Sequence, residues 1–270
     1  MVNPLQQTRR GEWSWFGLVL GLLGSCVVLF IVAPLVGLIL ATSFSEFSEA
    51  AVDEEVTGSI KLTLLAALVA TAACTVVGIP LAYLFARKRF FGRAVLLALV
   101  DLPIIIPHSA AGIALLTLIG RRSCLGGLAE RWGVNFVGTF TGITVAMAFV
   151  SVPFLIGAAR SGFEAVPERL EKAARTLGAS PRRVFFTISL PMAWREILSG
   201  MILMWGRGIS EFGAVIIIAY YPMTAPVLVY QRFTDYGLAY SRSAAVLLIL
   251  ICVAVFAVLR FVARRPETEG

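Results

Sequence analysis

The chain has 270 residues, of which 59% are apolar and only 14% charged, with a net charge of +7 and one histidine. Soluble domains are nearer a quarter charged, so a soluble globular class is excluded. The positive charge is not a nucleic-acid footprint either, because the basic residues collect at the ends of apolar runs and not on one soluble face.

Taken in chain order, residues 13–45, 62–86, 102–120, 132–159, 212–231 and 243–259 carry no Asp, Glu, Lys or Arg. A spanning helix needs roughly 20 mostly apolar residues. The runs predict an all-α integral membrane protein with six transmembrane helices, near 15–42, 60–86, 95–120, 138–160, 194–219 and 241–263. A β-barrel would show short alternating segments instead. The first helix is too long for a secretory signal and lacks a small-residue cleavage site, so it reads as retained and peripheral to a single membrane domain over 1–270.

Orientation follows from the basic residues. With the N-terminus in the cytoplasm, the inner segments hold Arg9, Arg10, Arg87, Lys88, Arg89, Arg93, Arg160, Arg169, Lys172, Arg175, Arg182, Arg183, Arg195, Arg260, Arg264 and Arg265. The outer segments hold only Lys61, Arg121, Arg122, Arg131, Arg232 and Arg242, beside an acidic first loop with Glu46, Glu49, Asp53, Glu54 and Glu55. This imbalance predicts that both termini are cytoplasmic. Cys26, Cys74 and Cys252 fall in apolar runs and Cys124 at an outer helix end, without a CxxC pair, so they read as small buried residues and neither as a redox pair nor as a metal site.

Two helices carry unusual residues. In the third, Pro103 and Pro107 flank Ile104, Ile105 and Ile106 and predict a kink, which suits either a pore-lining segment or packing alone. His108 follows directly and reads as a packed, hydrogen-bonded residue or as a pore group. In the fifth, Arg207 and Glu211 stand four residues apart on one face, with Ser210 and Phe212 beside them. Ionisable residues at membrane depth are costly and point to function. Such a pair also neutralises itself, so a pore or gate role, a structural pair and an interfacial position all remain open. Gly112, Gly206, Gly208 and Gly213 permit close helix approach.

Between the fourth and fifth helices lies the cytoplasmic segment 161–193, which looks soluble. Pro167 suits the start of a short helix, with Glu168 and Glu171 early and Arg175 late, as the helix dipole favours. Leu170, Ala173, Ala174 and Leu177 make an apolar stripe, and Gly178 supplies the left-handed stop. Ser180 and Pro181 restart a second helix with Val184, Phe185, Ile188 and Leu190, which Pro191 is expected to bend. A helix of about three turns is unstable alone in water, so it docks either into a partner's groove or onto the bilayer surface.

This segment resembles the EAA loop of permease subunits in ABC importers. Ala173, Ala174, Gly178, Ile188, Leu190 and Pro191 match that pattern at its spacing, with Lys172 where the family has Glu and Glu171 one residue earlier. The resemblance implies a type I ABC importer permease fold with a core of about 60–263, working as a homodimer on two ABC ATPase subunits. It implies a coupling role for Glu168, Glu171, Lys172, Ala173, Ala174, Arg175, Gly178 and Arg182, while the proline pair and the ionisable residues at membrane depth make Pro103, Pro107, His108, Arg207, Ser210, Glu211 and Phe212 the pore or gate candidates. LPIIIPHSAAGIALL (102–116) and RGISEFGAVIIIAYYPMTAPVLVY (207–230) are similar to oxyanion permeases, nearest the molybdate/tungstate type, with sulfate or thiosulfate as the alternative cargo. The resemblance further implies an external oxyanion-binding protein, a lipid-embedded location in a prokaryotic plasma membrane, and ATP and Mg on the ATPase partner only. No GxxxxGK[ST] occurs here, so no cofactor, metal, catalytic residue or nucleic acid is expected on this chain.

Two rival classes are weaker. An intramembrane serine protease would use Ser210 in Gly208-Ile209-Ser210, but the lone His108 lies far upstream and Glu211 follows the serine. A stand-alone secondary transporter would show internal repeats and several coupling carboxylates in its spans, where only Glu211 occurs.

Overall fold

The computed structural model describes residues 15–263, so Arg9, Arg10, Arg264, Arg265 and the predicted cytoplasmic position of both ends lie outside the described residues. Among the described residues the regular structure is helical. The helices are α1 (Trp15–Leu40), α2 (Phe44–Val52), α3 (Glu54–Arg87), α4 (Arg93–Ile105), α5 (His108–Ile119), α6 (Cys124–Arg131) and α7 (Phe140–Ala165). They continue with α8 (Glu168–Thr176), α9 (Pro181–Val184), a π-helical turn (Phe185–Ser189), α10 (Leu190–Ile209), α11 (Gly213–Ile218), α12 (Ala225–Tyr236) and α13 (Leu238–Ala263).

α1, α3, α7 and α13 are each long and apolar enough to cross a bilayer, and α4 with α5 forms a fifth such unit bent by 115°. Two predicted continuous helices are therefore broken. The third, near 95–120, is α4 and α5. Pro107 removes a donor and forces the preceding Ile106 into extended backbone (ψ 144°), so the chain turns rather than kinks. The fifth, near 194–219, is α10 and α11 with Ser210, Glu211 and Phe212 between them. Here side chains make the break. Ser210 Oγ donates to the Arg207 carbonyl at 3.0 Å, and Glu211 Oε1 accepts the Ala214 amide at 2.8 Å to cap the new helix.

The acidic loop between α1 and α3 holds α2, which the hydropathy pattern did not predict. Ser43 and Glu46 form a reciprocal capping box at its start, and Asp53 then caps α3 through the Glu55 and Val56 amides. The predicted second short helix runs on past Pro191. α9, the π turn and α10 follow one another without a loop as one helical rod, with Pro191 inside it directly after the π turn.

α3, α7 and α10 pack against each other at the centre. One apolar cluster includes Ala67, Ala70, Met147, Val150, Ile209 and Ile218. The other includes Ala82, Phe85, Ile156, Phe163 and Ile197. Small residues set the spacing, as TM helix contacts require. A Cβ at Gly200 would stand 2.9 Å from Ala158 Cβ, so α10 lies almost backbone to backbone on α7. α1 buries none of its residues and meets α13, in keeping with a peripheral helix. The cysteines depart from expectation. All four are free, Cys26 and Cys124 are exposed and Cys74 and Cys252 half-buried, since their positions face outward from the bundle.

Candidate functional site

The two helix breaks meet at one ionic cluster. His108 opens α5, Arg207 stands in the last turn of α10, and Ser210 and Glu211 follow it. Arg207 Nη2 donates to Glu211 Oε2 at 2.9 Å and lies 2.6 Å from His108 Nδ1. His108 Nδ1 is itself 2.8 Å from Glu211 Oε2. Arg207 Nη1 donates to Ser210 Oγ at 3.2 Å. Glu211 is completely buried, whereas the side chains of Arg207 and His108 are 22% and 33% exposed. A carboxylate so placed stays charged only with strong partners, and here Arg207 supplies the charge and the Ala214 amide a second bond.

Glycines make the junction compact. A Cβ at Gly213 would stand 2.8 Å from His108 Cβ, and one at Gly112 would stand 2.9 Å from Ile217 Cβ and 3.0 Å from the Ala214 backbone. α5 and α11 therefore touch through their glycines, which seats His108 over the start of α11. Phe212 flanks the cluster, its ring 4.9 Å from that of Tyr230. Of the residues singled out in sequence, His108, Arg207, Ser210 and Glu211 come together. Pro107 creates the break without joining the polar contacts, and Pro103 is buried inside α4.

The second feature is the 161–193 segment. α8 ends at Gly178, whose φ of +87° is left-handed as predicted. Ser180 caps α9 through the Arg183 amide at 3.3 Å, with Pro181 at its start. Leu170, Ala173 and Leu177 lie exposed, Leu177 at 89%, so the apolar stripe has no cover among the described residues. Lys172 pairs with Glu168 at 2.8 Å, and its hydrogen bond holds the Glu168 carboxyl below the usual range. Arg175 and Arg182 are exposed beside them.

Glu171 points the other way. It is buried, and its Oε1 accepts from Arg87 Nε at 2.9 Å and from Ser189 Oγ at 2.8 Å. It thus ties α8 to the end of α3 and to the π turn. Sequence reasoning had treated Arg87 only as a topology marker and had passed over Ser189. The sole sequence signal for Ser189 was its place between Ile188 and Leu190 of the loop motif. Nearby, Arg93 caps the end of α3 by donating twice to the Phe85 carbonyl, at 2.9 and 2.6 Å.

Away from this segment, two arginines bind α2 and the start of α3 to α12 and α13. Arg232 Nη2 reaches Asp53 at 2.7 Å and Glu55 at 3.0 Å, and Arg242 Nη2 reaches Glu46 at 3.2 Å. Burial would raise the Asp53 carboxyl, but the Arg232 hydrogen bond and the Val56 and Glu55 amides outweigh it and hold it below its ordinary value. Sequence reasoning missed both ties.

Comparison with known proteins places this arrangement. The family described as "Binding-protein-dependent transport system inner membrane component" matches residues 78–267. The chain belongs to this family. The match takes in both the ionic cluster and the exposed helix α8, and it begins inside α3. The chain is 42% identical over 247 residues, 91% of its length and 95% of the relative's, to a molybdate/tungstate transport system permease protein of Thermococcus kodakarensis. It is 35% identical over 207 residues, 76% of its length and 75% of the relative's, to a sulfate transport system permease protein of Salmonella typhimurium. Its fold is that of a bacterial alginate ABC transporter chain solved in complex with an alginate pentasaccharide-bound periplasmic protein. That match has a TM-score of 0.73 at 18% identity, covering 94% of this chain and 96% of the other. As a member of this permease family with several apolar helices, the chain is a multi-pass protein of the cell membrane.

Proposed function

We propose that this chain is the membrane-spanning subunit of an ATP-driven importer for molybdate or tungstate. The observation that carries the reading is the 42% identity, over 91% of the chain, to an archaeal molybdate/tungstate permease, against 35% over 76% for a sulfate permease. On this reading two copies pair in the membrane, and two ABC ATPase subunits dock on their cytoplasmic side. An external oxyanion-binding protein delivers cargo, and ATP and Mg belong to the ATPases. The exposed stripe of α8, with Leu170, Ala173 and Leu177, supports a docking role for that helix.

The geometry supports a route for the stroke. α8 is fixed by Glu171 to Ser189, Ser189 lies in the rod that continues through α10, and α10 ends at Arg207 beside the cluster. A displacement of α8 by a closing ATPase pair is therefore carried by a helix and not absorbed by a loop. Such coupling needs contacts that differ between the two motor states. The cluster, at the joint of two broken helices, is where tilting would open or shut a path. Selection of the anion rests with the binding protein, and Arg207 acts as a weak guide.

The test is uptake of labelled tungstate into vesicles holding this chain, its cognate ATPase and binding protein, with sulfate as competitor. Uptake that needs ATP and survives excess sulfate is expected. Uptake abolished by sulfate would move the cargo to sulfate, and no uptake of any oxyanion by an assembled complex would overturn the reading.

A further inference from the structure

We propose that Glu211 is a built-in counter-anion that keeps the path's guanidinium, Arg207 beside His108, from holding the cargo oxyanion tightly. The inference rests on the functional reading above and deepens it. Its starting point is an asymmetry of burial. Arg207 and His108 reach the surface at 22% and 33% exposure, while the carboxylate that pairs with both is completely buried beneath them. An oxyanion approaching this surface meets the Arg207 guanidinium and the His108 ring first and the acid not at all.

The contacts define the competition. One oxygen of Glu211, Oε1, is committed to the Ala214 amide at 2.8 Å and so fixes the carboxylate to the first turn of α11. The other, Oε2, is the acceptor for Arg207 at 2.9 Å and lies 2.8 Å from His108. Arg207 Nη1 is held only by the hydroxyl of Ser210. A dianion can take Nη1 by displacing the Ser210 hydroxyl, but to grip both guanidinium nitrogens it must also draw Nη2 off Oε2, which strands a buried carboxylate without its charge partner. Stranding a buried charge is costly, and that cost is subtracted from whatever affinity the oxyanion would have for a free guanidinium. The cluster is thereby attractive enough to admit an anion and too weakly binding to retain one, which is the condition for passage through any path. Nothing about the pair is needed for helix geometry alone, since a neutral acceptor at Glu211 Oε1 would cap α11 equally well.

The proposal makes Glu211 a positioning residue, acting on the anion through Arg207. The experiment measures binding of labelled tungstate to the purified permease–ATPase complex without its binding protein, by equilibrium dialysis, for wild type and Glu211→Gln. The amide keeps the volume and the acceptor for Ala214 and removes the charge. Glu211→Gln is expected to bind tungstate at least about tenfold more tightly than wild type, as unmasking one charge partner implies, and to import more slowly because release becomes limiting. The double variant Glu211→Gln, Arg207→Gln is expected to lose the gain. If Glu211→Gln does not assemble, Glu211→Asp retracts the carboxylate from Arg207 with its charge kept, and a smaller gain is expected there. No gain in an assembled variant, or a gain that persists without Arg207, overturns the proposal. Wild-type uptake measured on the same preparation separates the two readings. If wild type does not import tungstate, the cargo reading fails. If wild type imports and the variants gain nothing, only the counter-anion role fails.

Discussion

Replacing Glu171 with alanine should release α8 from the body of the permease without unfolding the membrane helices. Glu171 Oε1 receives Arg87 Nη2 at 2.8 Å and Ser189 Oγ at 2.8 Å, and the Arg87 and Glu171 side chains are only 9% and 12% exposed. Removing one partner of such a buried pair costs about 3–5 kcal/mol. Arg87 keeps a second acceptor, the Val166 carbonyl at 2.9 Å, which argues for the lower end, about 3 kcal/mol. That is about a 100-fold shift in the equilibrium between docked and undocked α8. The cost stays local because α8 is nine residues long and contributes one buried residue, Glu171 itself. Hydrogen exchange on the permease in lipid nanodiscs reads the shift directly. Amides of α8 should exchange about 100-fold faster, while those of α7 and α10 hold their protection. Arg87→Ala should act largely through the same contact, so the double variant should fall well short of the sum. Unchanged exchange in α8, or an equal rise in every helix, would refute the anchoring argument.

Other perturbations test other joints. Gly178→Val forces a β-branched residue to φ +87° in open space, so the penalty is purely backbone, about 1–2 kcal/mol. Uptake per ATP should fall while the protein still inserts and assembles, and normal uptake would contradict the turn's role. Gly112→Val places a Cβ 2.9 Å from Ile217 Cβ and 3.0 Å from the Ala214 backbone. It should cost about 1–3 kcal/mol and lower the thermal midpoint of the solubilised permease, whereas Gly206→Ala, with nothing within 4 Å of its Cβ, should not. The Arg232–Asp53 tie should ignore physiological pH. Asp53 is held below its ordinary value, so its contribution is complete above the unfolded carboxyl pKa of about 3.9 and is lost as pH falls through the lowered folded value. The difference in thermal midpoint between wild type and Arg232→Met should therefore be constant from about pH 8 to about pH 5 and shrink only below about 4, and a loss centred near pH 6 would exclude Asp53 as the titrating group.

What could be read from sequence was what is local. Charge-free runs located α1, α3, α7 and α13, because burial in lipid needs only length and the absence of charge. The turn at Gly178, Ser180 and Pro181 was legible because each residue acts on its own backbone. The Arg207–Glu211 pair was visible at its four-residue spacing, yet for a reason the structure alters. Glu211 has left the helix and reaches back from the break. That break carries no proline, and it depends on side chains of Ser210 and Glu211 that any polar pair could mimic. His108 joins the cluster from 99 residues away, and Arg87 reaches Glu171 from 84 residues away, and no periodicity reports contacts of that range. α2 escaped because hydropathy averages over its acidic loop, although Ser43 and Glu46 spelled a capping box.

The two ends of α10 are held in the same manner, and this bears on how force could cross the bilayer. At one end Ser189 links the rod to Glu171, which also grips Arg87 of α3. Near the other end Gly208 lies against Ala67 of α3, where a Cβ would stand 3.3 Å from the alanine Cβ, and Trp205 Nε1 donates to the Leu64 carbonyl at 3.2 Å. α10 is thus clamped to α3 at both ends, so the pair moves together rather than sliding. The contacts left free to change lie on the far side, where Arg207 and Glu211 face His108 of α5. Those are polar contacts between two helix breaks, and they can exchange partners without opening a packed apolar interface, which resists gradual deformation. A stroke delivered at α8 would then reach the Arg207–Glu211–His108 contacts, and Gly112→Val should lower uptake per ATP as well as stability, because it wedges α5 off α11 and displaces His108 from the cluster.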